Sequence, residues 1–391
     1  MSPLPRIAGR KRAGPRRVGA PAGLLEVLRD GPAPLERRAA GDDDSRLRVG
    51  VIVPEFRRGS GGHSTIANLL RGLEARGHAC SLWVLDDEGR HAGESEAEVA
   101  ALWRDFFGPL DGDVRLGLAE WAGADVALAT GWQTVPSVLR LPGTAARAYL
   151  VQDHEPEFYA TSAEREWAAW TYGQGLHCIA ASPWLAGLLR ERYGASASAF
   201  DLGVDHEHYR PHPTHRRHDL VLFYARAVTP RRAVPLGVLA LAELHRRRPS
   251  VEIALFGEAR ELETPFPHRH LGVLEPDPLA HAYASAAVGM VLSMTNPSLI
   301  PQEMLACGLP CVDLASDSMV ATYGNDGPVT LAPFDPLALC DAIEGLLDDL
   351  PLRAERSRAG TEWVAGRTWD AAAQQVEAGL REALGLAAAR G

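Results

Sequence analysis

Lysine is almost absent from this 391-residue sequence, which has a single one at Lys11. A permanently cationic site farther along the chain must therefore use arginine, whose planar guanidinium binds phosphate oxygens in pairs. An excess of basic residues is also absent, because 40 Lys+Arg stand against 50 Asp+Glu and the formal net charge is −10. Nucleic acid is therefore not expected as a partner, since its phosphate backbone selects basic surfaces.

Long apolar runs and paired cysteines are missing too. No stretch reaches the roughly 18 apolar residues of a membrane-spanning helix, so no integral membrane segment is predicted. The basic first 20 residues lack the apolar segment of a secretory signal, but remain compatible with peripheral contact to an anionic membrane. The five cysteines are scattered, which disfavours disulfides and a zinc site. We therefore predict a cytoplasmic protein without a bound metal.

Residues 1–45 differ in composition from the rest of the chain. They carry nine basic and six acidic residues, a balance of +3, so the remaining residues carry −13. Farther on, apolar runs alternate with amphipathic stretches, which indicates doubly wound α/β domains, and a polar segment interrupts the pattern at residues 209–218. The predicted organisation is a mostly flexible tail at 1–45 with one short helix near residues 24–28, a first α/β domain at 46–212, a second at 213–366 and a helix at 367–391.

Three segments carry candidate chemistry at the ends of predicted strands, where two such domains would face a common cleft. Gly61 and Gly62 precede a helix, as in a phosphate-binding loop, although a simple tight turn is the alternative. Arg226 and the pair at 231–232 either converge on one anion or form a solvated basic loop. Pro301 fits the first position of a helix and places Glu303 in the first turn, to bind ribose hydroxyls or to compensate the helix dipole.

At this point the motifs resemble a known family. The pattern Ser-x-x-Pro-x-Glu-Met-x-Ala-x-Gly-x-Pro at residues 298–310, after Arg…Pro-Arg-Arg at 226–232, is similar to retaining glycosyltransferases of family 4 (glycosyl transferases group 1). The resemblance extends over about residues 47–385. Gln-Asp-His-Glu-Pro at 152–156 and Thr-Gly-Trp-Gln-Thr at 130–134 are similar to bacterial rhamnosyltransferases that act on surface glycans. The implied fold is GT-B, two Rossmann-like doubly wound domains facing a cleft, with a C-terminal helix that crosses back to the first domain.

The resemblance implies an activity and a set of partners. A sugar, with a 6-deoxyhexose such as rhamnose as one candidate, would pass from a dTDP-, UDP- or GDP-linked donor to a small-molecule, peptide or glycan acceptor. The anomeric configuration would be retained without a metal or other cofactor. One rival is a catalytically idle scaffold that binds nucleotide sugars. The others are a two-domain NAD-dependent oxidoreductase or epimerase, disfavoured because the full G-x-G-x-x-G fingerprint is absent, and an exported sugar-binding protein, disfavoured by the lack of a signal.

Residue roles are carried over position by position. The implied catalytic residues are His154, near the sugar, and Arg226 and Arg232, on the diphosphate. Thr295 stands where the family's E-x7-E motif has its first glutamate, which contacts sugar hydroxyls, so a different donor sugar or orientation is expected. The expected donor-binding residues are Gly61, Gly62, Arg226, Arg231, Arg232, Leu274, Thr295, Ser298, Leu299, Ile300 and Glu303. The acceptor is expected against the first domain, at Trp132, Gln133, Glu157 and Tyr159, where aromatic residues are as often part of the core.

Overall fold

Two parallel β-sheets organise the chain, each in its own α/β domain. The structure is a computed structural model and describes residues 19–38 and 45–390. In the first domain the strands are β1 (Arg48–Pro54), β2 (Ala79–Leu85), β3 (Val114–Leu116), β4 (Ala124–Ala129), β5 (Thr144–Val151), β6 (His177–Ala180) and β7 (Ala197–Ala199). Its helices are α1 (Leu24–Asp30), α2 (Gly61–Ala75), α3 (Glu96–Phe107), α4 (Val135–Arg140), α5 (Ala163–Thr171) and α6 (Pro183–Tyr193).

The second domain repeats this arrangement. Its strands are β8 (Leu220–Tyr224), β9 (Glu252–Phe256), β10 (Arg269–Gly272), β11 (Val288–Met290), β12 (Cys311–Leu314) and β13 (Thr330–Ala332). Its helices are α7 (Val234–Arg247), α8 (Pro276–Ser285), α9 (Leu299–Ala306), α10 (Asp317–Tyr323), α11 (Pro336–Asp348) and α12 (Leu350–Val364). A last helix, α13 (Trp369–Arg390), follows them.

The strand order in both sheets is that of doubly wound folds. The first sheet runs β3-β2-β1-β4-β5-β6-β7 and the second β10-β9-β8-β11-β12-β13. In β1, Val51 lies opposite Leu82 of β2 and Leu128 of β4, and all three side chains are buried. Continuous apolar strands of this kind form because helices cover both faces of a parallel sheet. The fold class predicted from the sequence is confirmed.

Helix α13 returns to the first domain, as the resemblance implied. Val376 and Leu380 are buried in the same apolar cluster as Leu69 and Leu73 of α2. The two helices lie so close that a Cβ atom built on Gly72 would be 2.4 Å from the Cβ of Ala373. The end of the chain therefore completes the core of the domain in which the chain begins.

The expectation of a mostly flexible tail is corrected for residues 19–38, although the short helix expected near residues 24–28 is present as α1. Val27 of α1 is buried against an apolar cluster that contains Val138 and Leu139. Farther along, the amide of Ala33 donates to the Leu139 carbonyl at 2.8 Å, and the amide of Glu36 donates to the Thr144 carbonyl at 2.9 Å. Apolar burial and backbone hydrogen bonds hold this segment on the domain. Residues 1–18 and 39–44 of the predicted tail lie outside the described residues.

Gly203 marks a close approach between the segment that follows β7 and the start of α13. A Cβ atom there would lie 2.6 Å from the Trp369 amide nitrogen and 2.8 Å from the Thr368 carbonyl carbon. Because both neighbours are backbone atoms, Gly203→Ala is expected to lower the free energy of unfolding by about 1–3 kcal/mol in a urea titration. Gly187→Ala is the control, since a Cβ on this α6 glycine meets nothing within 4 Å of the described chain. Equal unfolding midpoints for the two variants would contradict the expected overlap.

Candidate active site

A cleft of about 810 Å³ separates the carboxyl ends of the two sheets. The first domain lines it with the turn between β1 and α2 and with the segments after β4 and β5, and the second with the segments after β8 and β11. The predicted site residues that line the cleft are Gly61, Gly62, Trp132, Gln133, Arg226, Arg231, Arg232, Ser298, Leu299, Ile300 and Glu303. Most of the predicted donor-binding set thus lies around one cavity.

The N-terminus of α2 points into the cleft at Gly61 and Gly62. The N-cap residue, Ser60, makes no side-chain cap to the helix amides; its hydroxyl is 2.7 Å from Nδ1 of His63 instead. The imidazole of His63 also approaches the Pro54 carbonyl at 3.3 Å, and burial lowers its pKa to about 4, so it is neutral at pH 7. The helix terminus therefore offers uncapped amides and a positive dipole end to an anion.

The three predicted cationic residues have different environments. Arg226 is partly exposed in the cleft, and within the described chain its side chain makes no ion pair. Arg232 is buried, and its Nη1 donates to the Ser293 hydroxyl at 3.1 Å. Arg231 turns away from its neighbour: its Nε is 3.1 Å from a carboxylate oxygen of Asp153, and its guanidinium lies 4.1 Å from the ring centre of Phe158. Arg226 is thus the arginine with most of its bonding capacity available to a ligand.

Glu303 lies on the second-domain wall of the cleft. Helix α9 begins at Leu299, two residues before the predicted start at Pro301, so Glu303 occupies the second turn rather than the first. The Tyr283 hydroxyl donates to Oε2 of Glu303 at 3.4 Å. Burial raises the pKa of this carboxyl to about 7, although one edge of the side chain remains open to the cleft. A ligand that donates two hydrogen bonds would stabilise the ionised form.

His154 does not reach the cleft, contrary to its predicted catalytic role. Its side chain is buried, its Nε2 is 2.7 Å from the Tyr193 hydroxyl, and its Nδ1 is 3.5 Å from a carboxylate oxygen of Glu157. Burial lowers the pKa of His154, and the ring stacks on Tyr172. The preceding residue, Asp153, is the one that lines the cleft.

The other predicted residues outside the cleft lining fall into three settings. Leu274 packs against the core of the second domain, beyond the edge strand β10. Thr295 is buried and bonds to Asp153. Glu157 and Tyr159 do not line the cavity; the Tyr159 hydroxyl accepts from Nε1 of Trp132 at 3.0 Å. Of the predicted acceptor contacts, only Trp132 and Gln133 border the cavity.

The cleft also contains residues that sequence reasoning missed. Arg57 lines it from the first domain as an exposed cation, and Tyr224 lines it at the end of β8. Asp153 and Gln152 border it as well, and Nε2 of Gln152 donates to the Gly62 carbonyl at 3.2 Å. Position at the carboxyl end of a strand is the sequence signal that Asp153 and Tyr224 share, and it applies to every residue that follows a strand.

Part of the chain matches a protein-family model, and most of it is similar to one curated protein. The family described as "WsaF, C-terminal domain" matches residues 219–331. The O-antigen biosynthesis protein RfbC of Myxococcus xanthus is 30% identical over 348 residues, which cover 84% of this chain and 26% of that protein. The chain therefore spans about a quarter of that relative's length.

Solved structures match most of the chain. Sucrose-phosphate synthase from Thermosynechococcus elongatus superposes with a TM-score of 0.66 at 18% identity and covers 86% of this chain and 99% of its own. HepE of Anabaena, in complex with UDP-glucose, superposes with a TM-score of 0.64 at 15% identity and covers 86% of this chain and 100% of its own. The chain has the GT-B fold.

The GT-B arrangement places the carboxyl ends of the two sheets, the N-terminus of α2 and Glu303 around one cleft. Within residues 19–38 and 45–390, no group of three or more histidine, cysteine or carboxylate side chains is arranged to hold a metal ion. None of the helices described for the chain combines the length and the apolar character needed to cross a membrane.

Proposed function

We propose that this GT-B protein is a glycosyltransferase that moves a sugar from a nucleotide-diphosphate donor to a hydroxyl acceptor in glycan or natural-product biosynthesis. The observation that carries the proposal is the convergence of Arg226, the uncapped α2 terminus and Glu303 on one cleft. Two positive groups and a carboxylate match a diphosphate joined to a ribose. The O-antigen biosynthesis name of the Myxococcus relative supports a glycan acceptor.

We propose retention of the anomeric configuration. As the bond between the anomeric carbon and the donor diphosphate breaks, negative charge grows on the leaving oxygen, and Arg226 and the α2 amides stabilise it. The acceptor oxygen bonds to the anomeric carbon from the same face and passes its proton to that diphosphate oxygen. A glycosidase would need two carboxylates across the bond. At this cleft Glu303 and Asp153 are engaged by Tyr283 and Thr295, which favours a mechanism without a protein nucleophile.

A 6-deoxyhexose such as rhamnose is the proposed sugar. Its support is the Thr295 substitution, which removes a carboxylate from the place where the family motif has one. A sugar with fewer hydroxyl groups requires fewer hydrogen-bond acceptors from the site. The same substitution is what favours the second candidate, a scaffold that binds nucleotide sugars without transferring them. Hydrolysis of the donor in the absence of acceptor distinguishes the enzyme from the scaffold.

A thermal-shift screen with UDP-glucose, dTDP-rhamnose and GDP-mannose tests the proposal. At about 100 times its Kd, the correct donor is expected to raise the Tm by roughly 2–5 °C, because ligand binding to the native state alone stabilises it by mass action. Sucrose at the same concentration is the control without a diphosphate. If no nucleotide sugar moves the Tm and none is hydrolysed or transferred, the proposed function is wrong.

A further inference from the structure

A network of hydrogen bonds joins the two domains at the floor of the cleft. From the first domain, Asp153 accepts from the Thr295 hydroxyl and from the Asn296 amide, both at 3.0 Å. From the second domain, Nδ2 of Asn296 donates to the Ala181 carbonyl at 2.8 Å and to the Gln152 carbonyl at 3.1 Å. All these contacts link residues more than 100 positions apart.

This network is buried although Asp153 and Gln152 border the cleft. Asp153 is 7% exposed, Thr295 6% and Asn296 1%. The Ser182 hydroxyl completes it by donating to Oδ1 of Asn296 at 2.7 Å. Arg231 adds the charge that opposes Asp153, with its Nε 3.1 Å from Oδ2. Buried polar groups are stable when each has its partner, and removal of one partner leaves the others unsatisfied.

The carboxylate of Asp153 is engaged by three hydrogen bonds and one charged contact. Oδ1 accepts from the amides of His154 and Asn296, and Oδ2 accepts from the Thr295 hydroxyl and faces Arg231. An ionised carboxylate has about four lone-pair sites, and three of them accept hydrogen bonds while Arg231 supplies a charged contact. The contribution of Asp153 is therefore to fix the positions of its partners.

The three second-domain partners of Asp153 belong to segments that border the donor region of the cleft. Thr295 and Asn296 form the turn that leads into α9, whose residues Ser298–Ile300 and Glu303 line the cleft. Arg231 belongs to the turn after β8 that also carries Arg226. Asp153 thus connects the first domain to both second-domain segments that border the donor region.

We propose that Asp153 is a positioning residue that holds the turn before α9 and the turn after β8 against the first domain, and that Thr295 is required because its hydroxyl donates to Asp153. The inference rests on the proposed function. A glutamate at position 295 would set a second carboxylate beside Asp153 at a buried site. Two like charges that share a buried site repel strongly. The threonine hydroxyl instead donates to Asp153, and the domains stay closed around the donor turn.

A series of variants that moves the carboxylate from position 153 to position 295 tests this pairing. The variants are Thr295→Glu, Asp153→Asn and the two combined, with Thr361→Glu on α12, outside the cleft lining, as the matched control. Thr295→Glu is expected to lower kcat/KM for donor hydrolysis about 100-fold, because displacement of a positioned group by about 1 Å has that effect. Asp153→Asn alone is expected to lower it about 10-fold. The combination is expected to recover to within about 10-fold of wild type, because the single carboxylate now sits at position 295 and still faces Arg231.

Domain closure supplies a readout that does not need catalysis. A compact chain of this length has a radius of gyration of about 21 Å in small-angle X-ray scattering. Thr295→Glu is expected to raise it by about 1 Å or more through hinge opening, and the combined variant to restore the wild-type value. Circular dichroism confirms that each variant is folded before it is measured.

The outcomes separate the two proposals. Rescue by the second substitution, in hydrolysis and in scattering, supports the pairing; losses that simply add would overturn it. Wild-type closure and activity in Thr295→Glu would overturn it as well. If the wild-type protein binds no nucleotide sugar, the proposed function fails, and the scattering series still decides whether Asp153 and Thr295 hold the domains together.

Discussion

Replacement of Arg226 by alanine is expected to lower kcat for sugar transfer or donor hydrolysis by about 100- to 1000-fold, with a smaller effect on donor affinity. Arg226 lines the cleft without an ion-pair partner among the described residues, so its guanidinium is available to the diphosphate. Charge on the leaving diphosphate is larger in the transition state than in the bound donor, and a preorganised cation stabilises it selectively. Steady-state kinetics with the donor identified by thermal shift measures the effect.

Arg269→Ala is the matched control for Arg226→Ala. Arg269 is the first residue of strand β10 and pairs with Glu252, the first residue of β9, at 2.8 Å. Both lie at the amino ends of their strands, away from the cleft. Its removal deletes the same side chain without touching the donor region, so kcat is expected to stay within about twofold of wild type. Equal losses in the two variants would show that Arg226 acts through general stability or net charge.

Glu303→Gln is expected to abolish detectable donor binding while making the ligand-free protein more stable above pH 7. Burial raises the pKa of Glu303 to about 7, against 4.5 for the exposed carboxyl. Between these values the folded state holds a proton that the unfolded state has lost, so stability falls as pH rises from 4.5 to 7 and stays low above it. Glutamine keeps the shape and removes the buried charge. The gain at pH 8 is expected to be about 1–2 kcal/mol, reduced from the full linkage value because the cleft edge is solvated.

Urea unfolding at pH 5 and pH 8, with and without the nucleotide sugar, measures both effects. The difference between Glu303→Gln and wild type should be near zero at pH 5 and largest at pH 8. The wild-type dependence will not vanish in the variant, because burial also raises the pKa of Glu155 and Asp313 to about 7. Glu26→Gln on the exposed face of α1 is the control. A variant that binds the donor normally would remove Glu303 from the site.

Most of the strands that sequence patterns predicted lie in the sheet interiors, and one, β10, is a sheet edge. The strands that they missed are β3, β7 and β13, each of three residues, and all three are sheet edges. An edge strand has one neighbour and is covered less completely, so its sequence need not be continuously apolar. The doubly wound fold class followed from the repeated alternation of strands and helices, but the three short edge strands left no pattern long enough to detect.

The candidate site shows a different limit. The Arg226 and Glu303 segments were predictable because each follows a strand and each belongs to a motif with fixed spacing. His154 does not line the cleft whereas its neighbour Asp153 does, and both follow the end of β5, where the regular alternation of a strand no longer predicts the direction of a side chain. The partners of Asp153 are 142 and 143 residues away along the chain, and no local pattern encodes a contact of that range.

Helix α13 has a consequence for how the protein forms during synthesis. Ala372, Val376 and Leu380 belong to the apolar cluster of the first domain, yet they are synthesised only after the whole of the second domain. The apolar surface of the first domain that α13 covers therefore stays exposed while the second domain is synthesised, for roughly 10–40 s at typical translation rates. Removal of α13 would leave that face exposed permanently and is expected to yield aggregated first domain. An isolated first domain that folds would therefore need residues 369–390 attached to it, for example by circular permutation.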